Sequence, residues 1–280
     1  MKLLTPKRER WAQSRGNVTF KGLPLYVPLS VEKRYEAEIL NLLKAVHLYV
    51  MQSIEGLYDS DAAEEYFAQD ASMSGAAKKA MAKLQDKASK HIKDGATAIS
   101  IKMMSSVNKD SKIKLSASIK ELSGGMNVKL PEMPGDMKDI FEATIQQNVG
   151  LIKSVGDQYL SRVEGIVMRS ITEGKAGIES DLQKEFDVSK RRARLIAMDQ
   201  TRKAYNTVNV ERSKSLGITK GIWVHTAGSK EPRHRHKDYN GKEFNLADGA
   251  PVGNNNEFVQ PGQEINCRCT FIPVLEFGED

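Results

Sequence analysis

Cysteine is nearly absent: Cys267 and Cys269 are the only two in 280 residues. Two thiols cannot build a disulfide scaffold. A bridge between positions i and i+2 would also be strained, so both read as reduced thiols in a cytoplasm. Aromatic residues are scarce at 6%, which argues against a dense aromatic core and for long, Ala- and Lys-rich helices. No apolar run approaches the ~18–20 residues that span a bilayer. Met1-Lys2-Leu3-Leu4 meets charge at once, so no signal-peptide apolar region follows. No phosphate-binding glycine loop and no paired-carboxylate pattern stands out, and no enzymatic turnover is expected.

What is present is charge in blocks. The net charge is +6. Residues 1–22 carry six basic groups against Glu9, and residues 78–120 carry eleven lysines against Asp86, Asp94 and Asp110. Residues 59–70 are the reverse, with Asp59, Asp61, Glu64, Glu65 and Asp70 and no base. Such runs are ordinarily solvated helix faces. Two separate basic segments also suit a polyanion. Lys78, Lys79, Lys83, Lys87 and Lys90 fall at helical steps and form the candidate contact to duplex DNA, by charge alone.

The pattern of apolar residues predicts an α+β chain that is mainly α. Residues 1–30 read as an extended arm broken by Pro6, Pro24 and Pro28, whose apolar side chains (Trp11, Phe20, Leu25, Tyr26) suit docking onto its own domain or a partner. Residues 31–135 read as helical. Tyr35, Ile39, Leu42, Leu43, Val46 and Val50 recur at three- and four-residue steps, a second helical zone opens at Asp59 or Ser60, and Met81, Leu84, Ala88 and Ile92 give a thin stripe of small residues. Ser105 to Ser118 reads as either an exposed helix or a mobile segment. Glycines and prolines between Ser123 and Gly135 mark the main boundary. Helices resume over 136–217, as two stripes, a short helix with Leu182 and Phe186, and a longer one capped by Asp187 or Ser189 and stopped by Gly217. Residues 218–280 switch to short strands around Ile222, Val224, Phe244 and Thr270–Ile272, forming a small β-rich lobe.

That lobe holds the chemistry. His234, His236, Cys267 and Cys269 are ligand types of a zinc site. The alternative is that the thiols are small core residues and that His236 bonds to backbone near Asn266. The residues require no cofactor, and zinc is the one they could hold. Arg233, Arg235 and Arg268 surround the same place and suit either phosphate or loop carbonyls and Glu264. Asp199, Gln200, Thr201 and Arg202 lie mid-helix, where Asp199 and Arg202 can pair three residues apart as part of a polar seam.

Read together, Ala197-Met198-Asp199-Gln200-Thr201-Arg202-Lys203, then Trp223, then Arg233 and His236, then Pro261-Gly262-Gln263-Glu264-Ile265-Asn266-Cys267-Arg268-Cys269 resemble the phage Mu F-like minor head proteins over residues 136–275. One stretch departs from that family's usual Gly-Asp-x-Arg-x-Arg: Gly228 is followed by Ser229, Lys230 and Glu231. The resemblance implies a minor structural protein of a tailed-phage head, assembled in the host cytoplasm and retained in the capsid interior near the portal. Its implied partners are portal or capsid proteins, and its implied work is head assembly and DNA packaging or ejection. A nucleic-acid-binding module with a zinc-stabilised lobe is the alternative, and a metal-dependent hydrolase a distant third.

Overall fold

The computed structural model describes residues 3–58, 73–173, 177–227 and 233–277. The acidic run 59–70, the helix start at Asp59 or Ser60, and the departure at 228–231 lie outside them. Six helices and four strands follow in the order α1 (Pro6–Gln13), β1 (Val18–Lys21), α2 (Leu29–Tyr58), α3 (Met73–Ser123), α4 (Met137–Glu173), α5 (Ile178–Ser215), β2 (Lys220–Val224), α6 (His234–Asp238), β3 (Glu243–Asn245) and β4 (Thr270–Phe277) among the described residues. The chain is mainly helical with one small antiparallel sheet, ordered β1-β4-β2-β3. No described helix is long and apolar enough to cross a membrane.

The helices run longer than their separate sequence stripes. The two stripes after Asp136 belong to the single α4, and the short and long helices around Asp187 are the single α5. Nothing between them breaks a helix. Asp187 pairs with Lys190 at 2.5 Å, and the Ser189 hydroxyl donates to the Glu185 carbonyl at 3.1 Å, so neither residue caps. Ser105 to Ser118 is packed α3, not a mobile segment: Val107, Ser111 and Leu115 are fully buried, and Ser111 donates to Asn209 at 2.8 Å.

Two compact units result, one from Met1–Glu32, Met103–Thr144 and Met198–Asp280, the other from Lys33–Lys102 and Ile145–Ala197. The limits of these units fall within α2, α3, α4 and α5 rather than in loops. A helix as long as α3, 51 residues, extends about 75 Å at 1.5 Å per residue, more than one small core requires, so one helix serves both units.

The second unit is built from helices alone. Ile39, Leu43, Val46 and Val50 of α2, Leu84, Ala88 and Ile92 of α3, Ile152, Val155 and Val163 of α4, and Leu182 and Ala193 of α5 are buried in it. The stripe of small residues permits close approach: a Cβ on Gly95 would meet Leu42 Cδ1 at 2.7 Å, and one on Gly156 would collide with Ile92. Several of its buried polar groups pair internally. Tyr35 donates to Asn148 Oδ1 at 2.6 Å. Tyr159 Oη meets His47 Nδ1 at 2.5 Å, and the His47 ring stacks on Phe186 with centroids 4.2 Å apart.

The first unit holds the sheet. Here the arm behaves differently from a proline-broken segment. Pro6 occupies the first turn of α1, where no amide hydrogen is needed, and Thr5 caps it. The arm then supplies β1, which pairs Val18 with Phe277 and Phe20 with Leu275. Phe20 and Leu25 are buried, while Trp11 and Tyr26 remain 45% and 48% exposed, so only two of the four expected anchors dock. Arg8 caps the C-terminal end of α3, donating to the carbonyls of Glu121 at 2.7 Å and of Leu122. Arg212 is buried and donates to Asn108 and to the carbonyls of Pro131 and Glu132 at 3.0 Å, which fixes the irregular stretch after α3.

Candidate functional site

Between β2 and β4 the chain makes little regular structure, and the sequence explains how it is held. Gly241, at φ +80°, follows Asn240 in the turn into β3, and its amide donates to the Trp223 carbonyl at 2.8 Å. Pro261-Gly262 forms a second turn: Gly262 sits at φ +76° and presses on α5, where a Cβ would collide with the Asn206 amide. Asn206 answers by donating to the carbonyls of Arg202 at 3.2 Å and Cys269 at 3.3 Å, and by accepting from the Thr270 hydroxyl at 3.2 Å. Asn266 turns the chain at φ +63°, and Cys267 N–H donates to the Glu264 carbonyl at 3.0 Å.

These turns bring His236 of α6, Cys267 and Cys269 together. Their ligand atoms lie within 4.8 Å of one another, and all three residues are buried. His236 Nδ1 is 3.4 Å from Cys267 Sγ and 3.6 Å from Cys269 Sγ. Its Nε2 faces Glu264 Oε2 at 2.7 Å, and the same carboxylate oxygen is 3.3 Å from Arg233 Nε. The backbone near Asn266, the alternative partner, gives way to a carboxylate beside the ring. Trp223, fully buried, meets the His236 ring edge-on with centroids 5.3 Å apart and closes one side of the cluster.

His234 does not join. It is exposed, two residues from His236 on a helix of five, where a spacing of two points the side chains apart. The imidazole that reaches the thiols instead is His225, just past β2, with Nδ1 3.6 Å from Cys269 Sγ. It is half-buried, and its backbone N–H is anchored by Asn240 Oδ1 at 2.8 Å. Sequence spacing carries no sign of His225, a single residue eleven positions before His236; the β2–β4 pairing, which sets Val224 opposite Thr270, brings it beside Cys269.

The electrostatics of the cluster are those of a charge pair. The Cys267 thiol is held low, first by the hydrogen bond from Cys269 and then by His236, against the opposing effect of burial. Burial lowers His236, but the hydrogen bond and charge of Cys267 and the Glu264 carboxylate outweigh it, so its pKa rises above the usual value. Cys269, donating to Cys267 and buried, is pushed up. The cluster can thus supply one thiolate readily and a second once a cation compensates it.

The surrounding motif residues hold the lobe in place. Asp199, Gln200, Thr201 and Arg202 are all buried. Asp199 pairs with Lys203 at 2.8 Å rather than with Arg202. Arg202 reaches across to Glu32 at 3.1 Å, both side chains 9% exposed. The i,i+4 partner was available to Asp199, and the N-terminal segment brings a second carboxylate that the local sequence could not reveal. Arg233 donates to the Ile265 carbonyl at 3.1 Å, and Arg235 to the Gly253 carbonyl at 2.8 Å and Asn256 at 3.1 Å, so both bridge loops. Arg268 is half-buried. Far along the chain, Lys78, Lys79, Lys83, Lys87 and Lys90 are exposed on α3, opposite buried Met81, Leu84 and Ala88.

A family model described as Phage Mu protein F like protein matches residues 161–272, the span that ends in the thiol cluster. An uncharacterized protein of Haemophilus influenzae is 33% identical over 136 residues, 47% of this chain and 29% of that protein. The chain thus covers less than a third of that relative's length. No solved structure matches.

Proposed function

We propose, from the Mu F-like span at residues 161–272, that this protein is a minor structural component of a tailed-phage head. It sits inside the capsid near the portal and acts in head assembly and in DNA packaging or ejection. The family match is the observation that carries this reading. The lobe is compatible with it: Cys267, Cys269 and His236 are at most 4% exposed, and a thiol nucleophile that deep has no substrate approach. The motif arginines are engaged with loop carbonyls and carboxylates, as expected of groups that hold a fold rather than perform turnover.

The test is a quantitative protein inventory of purified virions. The chain should be present in few copies per particle and absent from particles assembled without the portal. Its absence from mature particles would overturn the reading. Product formed from nucleic acid, peptide or nucleotide and lost in His236→Ala would replace it with an enzymatic one. The exposed lysines of α3 favour a second activity within the same role, sequence-independent contact with packaged duplex through phosphate.

A further inference from the structure

We propose that His225, His236, Cys267 and Cys269 bind one Zn²⁺ as a closed tetrahedral structural site, and that this ion cross-links the C-terminal lobe. The inference is independent of any role in a phage head.

Distances carry it first. Zn–S bonds of about 2.3 Å and Zn–N bonds of about 2.0–2.1 Å at tetrahedral angles place a nitrogen and a sulfur about 3.6 Å apart. The three nitrogen–sulfur separations here are 3.4 Å, 3.6 Å and 3.6 Å. A hydrogen bond accounts for one of them but not for the set. A ring nitrogen has a single hydrogen-bonding site in its plane, yet two sulfurs lie at nearly equal distance from His236 Nδ1. One cation among His236 Nδ1, Cys267 Sγ and Cys269 Sγ, which lie within 4.8 Å of one another, satisfies these three together, and His225 Nδ1 stands beside Cys269 Sγ to take the fourth position.

The outer contacts agree. A histidine that binds metal through one nitrogen ordinarily gives the other N–H to a carboxylate, which fixes the tautomer and the ring. His236 has a carboxylate in place for this: Nδ1 faces the sulfurs, Nε2 lies 2.7 Å from Glu264 Oε2, and Arg233 Nε lies 3.3 Å from the same oxygen. Charge balance agrees as well. Two thiolates and two neutral imidazoles around Zn²⁺ make a neutral unit, suited to a buried place, and binding releases the protons that the thiols and His236 hold in the metal-free cluster.

The fold also calls for such a link. The four ligands come from three separate stretches: the end of β2, the five-residue α6, and the loop entering β4. Between β3 and β4 the one helical turn is Asn254–Asn256, and the thiols are free. A metal supplies the constraint that hydrogen-bonded strands do not. His225, half-buried and tethered at its amide by Asn240, closes the fourth position by turning its ring.

The experiment uses the full chain, purified in zinc-supplemented medium and then dialysed. Elemental analysis should give about one zinc per chain. Cobalt substitution should give the visible bands of a tetrahedral ion with near-ultraviolet thiolate charge transfer. His225→Ala should weaken zinc at least tenfold and change the cobalt spectrum, and Glu264→Gln should weaken it roughly 10–100-fold. His234→Ala should leave both unchanged. These three positions lie at the edge of the lobe, so they keep the test informative if Cys267→Ser or Cys269→Ser fails to fold. Metal-free protein whose melting ignores chelator overturns the site. Zinc retained at full affinity in His225→Ala, or released in His234→Ala, overturns the ligand set.

Discussion

The helical unit and the sheet-bearing unit solve the same problem with different redundancy. In the helical unit, residues 33–102 and 145–197, stability is spread over many buried aliphatic side chains at helical spacing, among them Ile39, Leu43, Ile92, Ile152 and Val163. Each is one of many. In the lobe at the end of the sheet-bearing unit, a few polar and sulfur groups hold long loops, and each has a partner that nothing else replaces: Asn206 for the Cys269 carbonyl, Glu264 for His236, Asn240 for the His225 amide. Distributed apolar packing tolerates small losses. A sparse polar network does not, because removing one member leaves its partner buried and unsatisfied.

The largest test of that contrast is removal of residues 1–27. This takes away the edge strand β1 together with buried Phe20 and Leu25. We expect the sheet-bearing unit to lose cooperative unfolding while the helical signal in circular dichroism largely survives. A truncated chain with an unchanged near-ultraviolet spectrum would show that the arm is dispensable.

Next in size is Trp223→Ala, expected to cost about 3–5 kcal/mol, against about 0.5–1.5 kcal/mol for Ile152→Val in the helical unit. Chemical denaturation of both variants measures the difference. Equal costs would remove the contrast.

Gly262→Ala should cost about 1–2 kcal/mol, since alanine dislikes φ +76° and its Cβ meets Asn206. If the single variant were as stable as the parent, the turn would not press on α5 as described.

A pH series sharpens the helical side. Burial lowers the pKa of His47, with Gln183 and Asp187 opposing. A folded pKa below the unfolded one means that the unfolded chain binds the extra proton first. Stability from this group is therefore full above about pH 6.5 and lost as pH falls toward the lowered folded value. Melting of the helical unit should drop on acidification from about pH 7 to about pH 5, and less so in His47→Gln. A drop of the same size in both would assign the acid sensitivity elsewhere.

The smallest effect is at Lys78, Lys79, Lys83 and Lys87. Changing all four to Gln should move stability by no more than about 0.5 kcal/mol. Duplex binding, where measurable at low salt, should weaken, and its salt slope should flatten by about 0.9 for each phosphate that is no longer neutralised. Binding untouched by the four changes would remove this face as the DNA-binding surface.

The same contrast governs what could be read from sequence. The helical core was legible because periodicity is a property of neighbours: Ile39, Leu42, Leu43 and Val46 announce a buried face without reference to the rest of the chain. The small sheet and the thiols were legible from residue type, and the order Trp223, Arg233, His236, Cys267, Cys269 carried the family resemblance. Partners distant in sequence were not. His225 needed the β2–β4 pairing, Glu32 needed the N-terminal segment beside Arg202, and β1 is four residues whose only signal is their match to β4. The limits of the compact units were hidden because the helices run through them.

The pairing of β1 with β4 sets a timetable for synthesis. Leu25 accepts a hydrogen bond from Thr270, 245 residues later. At about 5–20 residues per second, a ribosome needs on the order of 10–50 s to supply the second partner after the first has emerged. Every segment of the helical unit is translated within that interval. The sheet is therefore the last part to form, and β1 must wait as an unpaired edge, a vulnerable state that Lys21 and the nearby charges of Arg8, Arg10 and Arg15 help keep from self-association.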